Sequence, residues 1–217
     1  MVLFLYGASG AAFEVYDMIE RNPSIKRRYS KIIFVDDFAD EGACYLSQRI
    51  KFKSCADFLN GEDAEFAITV GEPSARKFLR EKVKNAGFSL ATLIDESAVV
   101  SQTAEVGEGC VINRGAIISS NVKLAENIFV MFRAIIGHEA DIGKDTTICP
   151  MTTIGAHCRM GEGSFVGITA STIQGVNVGK GAIIGMGAKV FREVLDGETV
   201  LGNPARVTKR ADKTTVF

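Results

Sequence analysis

His138 and His157 are the only imidazoles in the chain, and His138 stands between Gly137 and Glu139. A neutral imidazole with an ordinary pKa of about 6.5 can take a proton near neutral pH. A carboxylate beside it stabilises the imidazolium and raises its basicity. The pair reads as a general base with its support, or else as a polar surface turn. A second group of candidates lies near the N-terminus. Gly7-Ala8-Ser9-Gly10 can offer backbone N–H groups and a helix N-terminus to a phosphate. It is a GxxG run, not the GxGxxG dinucleotide fingerprint, and small residues there also serve helix–strand packing. Asp36-Asp37 could accept hydrogen bonds from a base or a ribose, or simply end a strand in a solvated turn. The five cysteines (Cys44, Cys55, Cys110, Cys149, Cys158) are odd in number and lack CxxC spacing. They read as reduced, packed thiols of a cytoplasmic protein, and their spacing does not support a zinc site.

The elements that carry these residues follow two different rules. In residues 1–95, short apolar runs alternate with helical spacing. "VLFLY" (2–6), "KIIFVDD" (31–37), "AEFAITVG" (64–71) and "FSLATLI" (88–94) read as strands. Helical spacing runs through Phe13, Met18 and Ile19, again briefly at "CADFL", and clearly over 74–87 until Gly87. Strands alternating with helices predict a small parallel α/β, Rossmann-like unit. Its strand ends, with Gly10, Asp36, Asp37 and Gly71, should converge on one crevice.

From about residue 96 the period becomes six. Of the sixteen positions from Val100 to Val190 taken every sixth residue, fifteen are aliphatic or Met, and Thr172 is the exception. Glycine follows in eight of them, as at Gly137, Gly155, Gly167 and Gly185. A helix would smear a six-residue step around its axis, and a plain strand repeats every two residues. Short strands joined by corners satisfy the pattern, three to a coil of eighteen residues. Stacked coils bury what one coil cannot. Corner residues such as His138 and Glu139 then point outward. Counting by eighteen places His157 under Glu139, so it reads as a polar corner residue or a second partner of that carboxylate.

Bulk properties agree with a packed protein. Hydrophobic residues make up 47% of the 217. A net charge of −1 gives no general pull toward nucleic acid or an anionic membrane. No apolar run approaches the ~18 residues of a membrane span, and the N-terminus lacks a signal peptide's basic start.

"YGASG", "FVDD", "ITVG", "GHEADIG" and "VLGNPAR", in that order, make the whole chain resemble a known family. These are the bacterial hexapeptide-repeat nucleotide-sugar N-acetyltransferases, acting on UDP-, dTDP- or GDP-linked 4-amino sugars, with their sialic acid O-acetyltransferase relatives. The resemblance implies an α/β domain over 1–95 that binds the nucleotide sugar. It implies a left-handed β-helix with a C-terminal tail over 96–217. It further implies a homotrimer with acetyl-CoA between adjacent β-helices and no metal. His138 would be the base for direct attack of the sugar amine, with Glu139 in support. Ala8, Ser9, Gly10, Ala11, Asp36, Asp37 and Gly71 would meet the nucleotide sugar. Thr147, Gly155, Ala156, Gly167, Ile168, Gly185, Met186 and Arg206 would meet acetyl-CoA. Sugar O-acetylation is the alternative reaction. The chain has Ala11-Ala12 where the family often carries His, and His157 where it tends to have Asn or Gly.

Overall fold

The computed structural model describes residues 1–59 and 61–210. The end of the expected C-terminal tail, 211–217, lies outside them. The N-terminal unit runs β1 (Val2–Tyr6), α1 (Gly10–Arg21), α2 (Pro23–Lys26), β2 (Lys31–Val35), β3 (Gly42–Cys44), β4 (Ser47–Ile50), α3 (Cys55–Phe58), β5 (Ala64–Ile68), α4 (Pro73–Asn85) and β6 (Ser89–Leu90). Its sheet has the order β3-β4-β2-β1-β5-β6, parallel except for β3 against β4. β1 is buried at all five positions. Successive side chains leave a strand on opposite faces, so this apolar run needs cover on both. Leu3 and Leu5 pack with Val15, Met18 and Ile19 of α1. Phe4 and Tyr6 pack with Phe66, Cys55 of α3 and Val83 of α4.

Two features depart from the sequence reading. The β3–β4 hairpin was not expected, because only Cys44 and Ile50 in it are buried and no apolar run announces it. The expected strand over 88–94 splits in two. Ser89–Leu90 ends the N-terminal sheet, whereas Leu93–Ile94 pairs with Val111–Ile112, one coil further along. The first rung of the repeat therefore precedes the period that is visible from Val100.

From Leu93 to Val190, seventeen two-residue strands stack into three parallel sheets, with partners eighteen residues apart. This is a left-handed parallel β-helix. Face one carries Leu93, Val111, Phe129, Thr147 and Phe165 outward. Face two carries Val99, Ile117 and Ile135, and face three Glu105, Lys123 and Asp141. The second residue of the strands fills the centre, as Ile112, Ile118, Ile136, Ile154 and Ile184 do. Small residues such as Ala116, Ala134 and Ala140 let the interior close. Glu198–Leu201 and Arg206–Arg210 form an antiparallel pair that ends face one.

The glycine after the central aliphatic has a specific cause. A Cβ on Gly137 would stand 2.6 Å from the backbone nitrogen of Ala156 on the next coil. The corner itself turns two residues later, where Glu139, Asp145 and His157 adopt φ of 58°, 60° and 56°.

α4 fastens the two halves together. Arg76 is fully buried. Its guanidinium donates to the carbonyls of Ile68, Val70 and Asn127 and to Asn127 Oδ1, at 2.7–3.2 Å. One turn on, Arg80 makes a two-pronged contact with the buried Asp145, both bonds at 2.9 Å, and Asn127 donates to the same carboxylate at 2.7 Å. Burial lowers the Arg76 pKa to about 10, against the opposing charge of Asp145. The guanidinium stays charged at neutral pH. The N-terminal unit is thus held on face one, where Val111 and Phe129 join its core.

Candidate active site

The expected crevice exists at the C-terminal ends of β1, β2 and β5. It is a cavity of about 380 Å³ lined by Tyr6, Gly7, Ala8, Ser9, Val35, Asp36, Asp37, Phe38, Val70, Ala75, Phe78 and Leu79. Gly7 is required by geometry. Its φ is 118°, and a Cβ there would lie 3.0 Å from Val70 Cγ2. Its N–H is spent on the Val35 carbonyl. The next N–H groups belong to the mouth of α1, where Ser9 makes no side-chain cap. The first-turn amides of a helix lack intrahelical partners and favour an anion. Gly10 and Ala11 form that first turn, next to Ser9 of the cavity lining. Gly71 follows Val70, and a Cβ there would lie 3.8 Å from the Met131 methyl group.

The two aspartates do different work. Asp37 Oδ2 accepts from the Tyr6 hydroxyl and from Lys82, each at 2.5 Å, and Oδ1 accepts from Phe52 N–H at 3.0 Å. Burial alone would raise the Asp37 pKa, but the bonds from Lys82, Tyr6 and Phe52 outweigh it and hold it below the usual range. Burial, then the bond to Asp37, pushes the Tyr6 phenol well up. Asp37 therefore braces the wall while also lining the cavity. Asp36 accepts from Phe38 N–H through Oδ1, which leaves Oδ2 for a ligand. Sequence reasoning missed Phe38, fully exposed, and Phe78, at 63%, which flank the same cavity. The signal was present in Phe38, an aromatic residue directly after a strand-end Asp-Asp.

His138 and Glu139 occupy an exposed corner between faces two and three, as the period requires. His138 Nδ1 is 3.0 Å from Glu139 Oε2. His157 sits one coil on, with its Nδ1 3.3 Å from the same oxygen. The two rings meet edge to face with centroids 5.0 Å apart. In the tautomer that donates Nδ1–H to Glu139, His138 keeps a lone pair on Nε2 that can accept a proton. Cysteine chemistry has no comparable support. Burial pushes the Cys149 thiol up to about 12 and the Cys110 thiol to about 11.

The residues expected around acetyl-CoA divide between two edges of the prism. Gly155 and Ala156 lie on the His138 edge, since Ala156 is directly under His138. Gly167, Ile168, Gly185 and Met186 lie on the edge between faces one and two. Ile168 and Met186 are exposed at 45% and 73%, whereas Gly167 is buried. Thr147 stands on face one, fully buried, and its hydroxyl has no partner. A direct cofactor contact by Thr147 is therefore corrected: no surface is left for one. Arg206 is exposed at the far end, bonded to the Ala205 carbonyl.

A parallel β-helix with an imidazole–carboxylate pair on its edge has the architecture of the hexapeptide-repeat acyltransferases. Residues 2–83 match the PglD N-terminal domain family. Among solved structures, the chain resembles the acetyltransferase domain of PglB from Neisseria gonorrhoeae. The two share 28% identity over 95% of this chain and 98% of that one, with a TM-score of 0.87. That domain has also been solved in complex with acetyl coenzyme A. PerB of Caulobacter crescentus, solved with CoA and GDP-perosamine, shares the fold at a TM-score of 0.83 and 23% identity, over 96% of this chain and 98% of that one. A curated relative, the 2,3,4,5-tetrahydropyridine-2,6-dicarboxylate N-acetyltransferase of Staphylococcus aureus, is 46% identical over 48 residues. That match covers 22% of this chain and spans 20% of the relative's length. No helix among the described residues is long and apolar enough to cross a membrane.

Proposed function

We propose that this protein is an acetyl-CoA-dependent N-acetyltransferase acting on the 4-amino group of a nucleotide-linked amino-deoxy sugar. The observation that carries the proposal is the 3.0 Å His138–Glu139 contact on an exposed edge. The crevice at the strand ends supplies the nucleotide site. The amine nitrogen attacks the thioester carbonyl of acetyl-CoA. His138 Nε2 takes the proton the amine sheds, and Glu139 stabilises the imidazolium. The tetrahedral oxyanion is held by a backbone N–H of the bare glycine edge and collapses with loss of the CoA thiolate. That thiolate then takes a proton.

Geometry also argues for a homotrimer. In a triangular prism, the His138 edge is the one that does not border face one. The nucleotide crevice is docked on face one, so a sugar bound there meets the histidine of a neighbouring copy. Face two and its flanking edges carry exposed Val99, Ile117, Ile135, Met151, Ile168 and Met186. Such a patch marks a surface for another copy of the chain. The two halves of the acetyl-CoA site would meet across it.

Thiol release from acetyl-CoA against a panel of UDP-, dTDP- and GDP-4-amino sugars tests the reading. Turnover should require both the nucleotide and a free amine. Acetylation of free sialic acid, with none of the nucleotide sugars used, would replace it with O-acetyl transfer. Within the crevice, Phe38 and Phe78 offer a stacking surface for the base, and Asp36 offers an acceptor. Phe38→Ala should raise KM for the nucleotide sugar about tenfold, in keeping with a stack of roughly 1–3 kcal/mol, and change kcat little. An unchanged KM would remove Phe38 from the site.

A further inference from the structure

The proposed base has more around it than acyl transfer requires. His157 lies one coil below His138, its N–H bonded to the His138 carbonyl at 2.9 Å, and it turns its own Nδ1 to the carboxylate that supports the base. We propose that His138, Glu139 and His157 form a binding site for a zinc-class divalent cation, whose occupancy switches off the proton acceptor. The inhibitory half of this rests on the base role proposed above.

The donor set and its spacing carry the inference. One ligand atom from each residue lies within 4.8 Å of the other two. Glu139 Oε2 stands 3.0 Å from His138 Nδ1 and 3.3 Å from His157 Nδ1. A tetrahedral zinc with bonds of about 2.0–2.1 Å separates its ligands by roughly 3.3 Å. Two edges of the ligand triangle are thus close to the required length before any ion enters, and a small turn of either ring closes the third. Two imidazoles with one carboxylate is a set that zinc accepts, with its fourth position open to water. The three side chains are 46–53% exposed, so an ion can reach them. Both corner residues, Glu139 and His157, stand on backbone held by the coil ladder, with left-handed φ of 58° and 56°. The neighbours on the same edge are Ser120 and Asn121 on the coil before and Gln174 and Gly175 on the coil after, all uncharged. All five thiols of the chain are buried.

Occupancy would invert the arrangement that catalysis uses. As a base, His138 keeps its ring proton on Nδ1, donated to Glu139, and offers Nε2. A cation on Nδ1 needs that lone pair and leaves the proton on Nε2. The ring then has no lone pair for the substrate's proton, and Glu139 is drawn onto the ion at the same time.

The test titrates the full-length protein with Co²⁺ and follows its visible absorption. A four-coordinate site gives an intense band that saturates at one ion per chain and is displaced by Zn²⁺. His157→Asn and Glu139→Gln should each weaken binding by more than about tenfold. Asparagine accepts a left-handed φ, so His157→Asn keeps the corner, and its circular dichroism and melting temperature should match the parent. In turnover assays, Zn²⁺ should inhibit the parent reversibly, and His157→Asn should be less sensitive by the same factor. A cobalt spectrum that stays six-coordinate, equal affinity in His157→Asn, or zinc bound here without loss of turnover would each overturn the proposal. The cobalt band needs no turnover. A failure of the base role in metal-free His138→Ala is therefore read separately.

Discussion

His138→Ala lowers kcat by about 10²–10⁴-fold, the range expected when a positioned base is lost. The affinity for acetyl-CoA, measured by calorimetry, stays within about twofold, because the proposed acetyl-CoA site is built from backbone and apolar edge residues rather than from the imidazole. The reason is local. His138 sits outside the stacked interior, on a corner whose fold is fixed by Ile136 and Ile142, both fully buried. Its removal leaves no cavity and breaks no ladder bond, so a loss of rate reports on chemistry and not on folding. Glu139→Gln should cost less, since the amide oxygen can still orient Nδ1–H while the charge that stabilises the imidazolium is gone. A His138→Ala enzyme with near-parental turnover would remove the imidazole from the mechanism and leave the substrate amine to be deprotonated elsewhere.

Arg76→Leu destabilises the protein by about 3–5 kcal/mol, the usual cost of removing one partner from a buried charged network. For a chain of this size that lowers the melting temperature by roughly 10 °C. Leucine fills part of the space but cannot donate. The carbonyls of Ile68, Val70 and Asn127 lose their partner inside the protein, and Asp145 loses a nearby positive charge. Thermal unfolding followed by circular dichroism measures the loss. Because Arg76 joins β5, α4 and the β-helix, the single transition should also split, with the N-terminal unit released first. The crevice at the strand ends then loses its fixed position relative to the coils, so kcat/KM should fall further than stability alone explains. A melting temperature unchanged within about 2 °C would show that the network is not what holds the halves together.

Much of this molecule was legible as sequence because its period is enforced by backbone spacing. A coil that closes every eighteen residues must place an aliphatic residue inward at Ile112, Ile118 and Ile136, whatever else the chain does. The corner position of His138 and Glu139 followed from counting, and so did the placement of His157 beneath Glu139. The α/β half was legible where burial on both faces makes a continuous apolar run, as in Val2–Tyr6. It was illegible where burial is one-sided and short, as in the β3–β4 hairpin.

Side-chain traffic between distant segments was not legible. Asp36 and Asp37 are adjacent and chemically identical, yet only Asp37 is taken up by Tyr6, Lys82 and Phe52, which come from three other parts of the chain. Thr147 occupies the same kind of repeat position as the exposed Ile135, yet it is fully buried. Helical spacing over 74–87 does not mark Arg76 for burial, and its guanidinium is satisfied by carbonyls that arrive from Ile68 and Asn127. The sequence by itself determined the coil, its period and the edge that bears the imidazole, because those depend on residues at fixed spacing along one chain. Tertiary structure decided which face is covered, which aspartate is tied to distant segments and how the two halves are joined. Those depend on contacts between residues far apart in sequence, for which no local spacing encodes the partner.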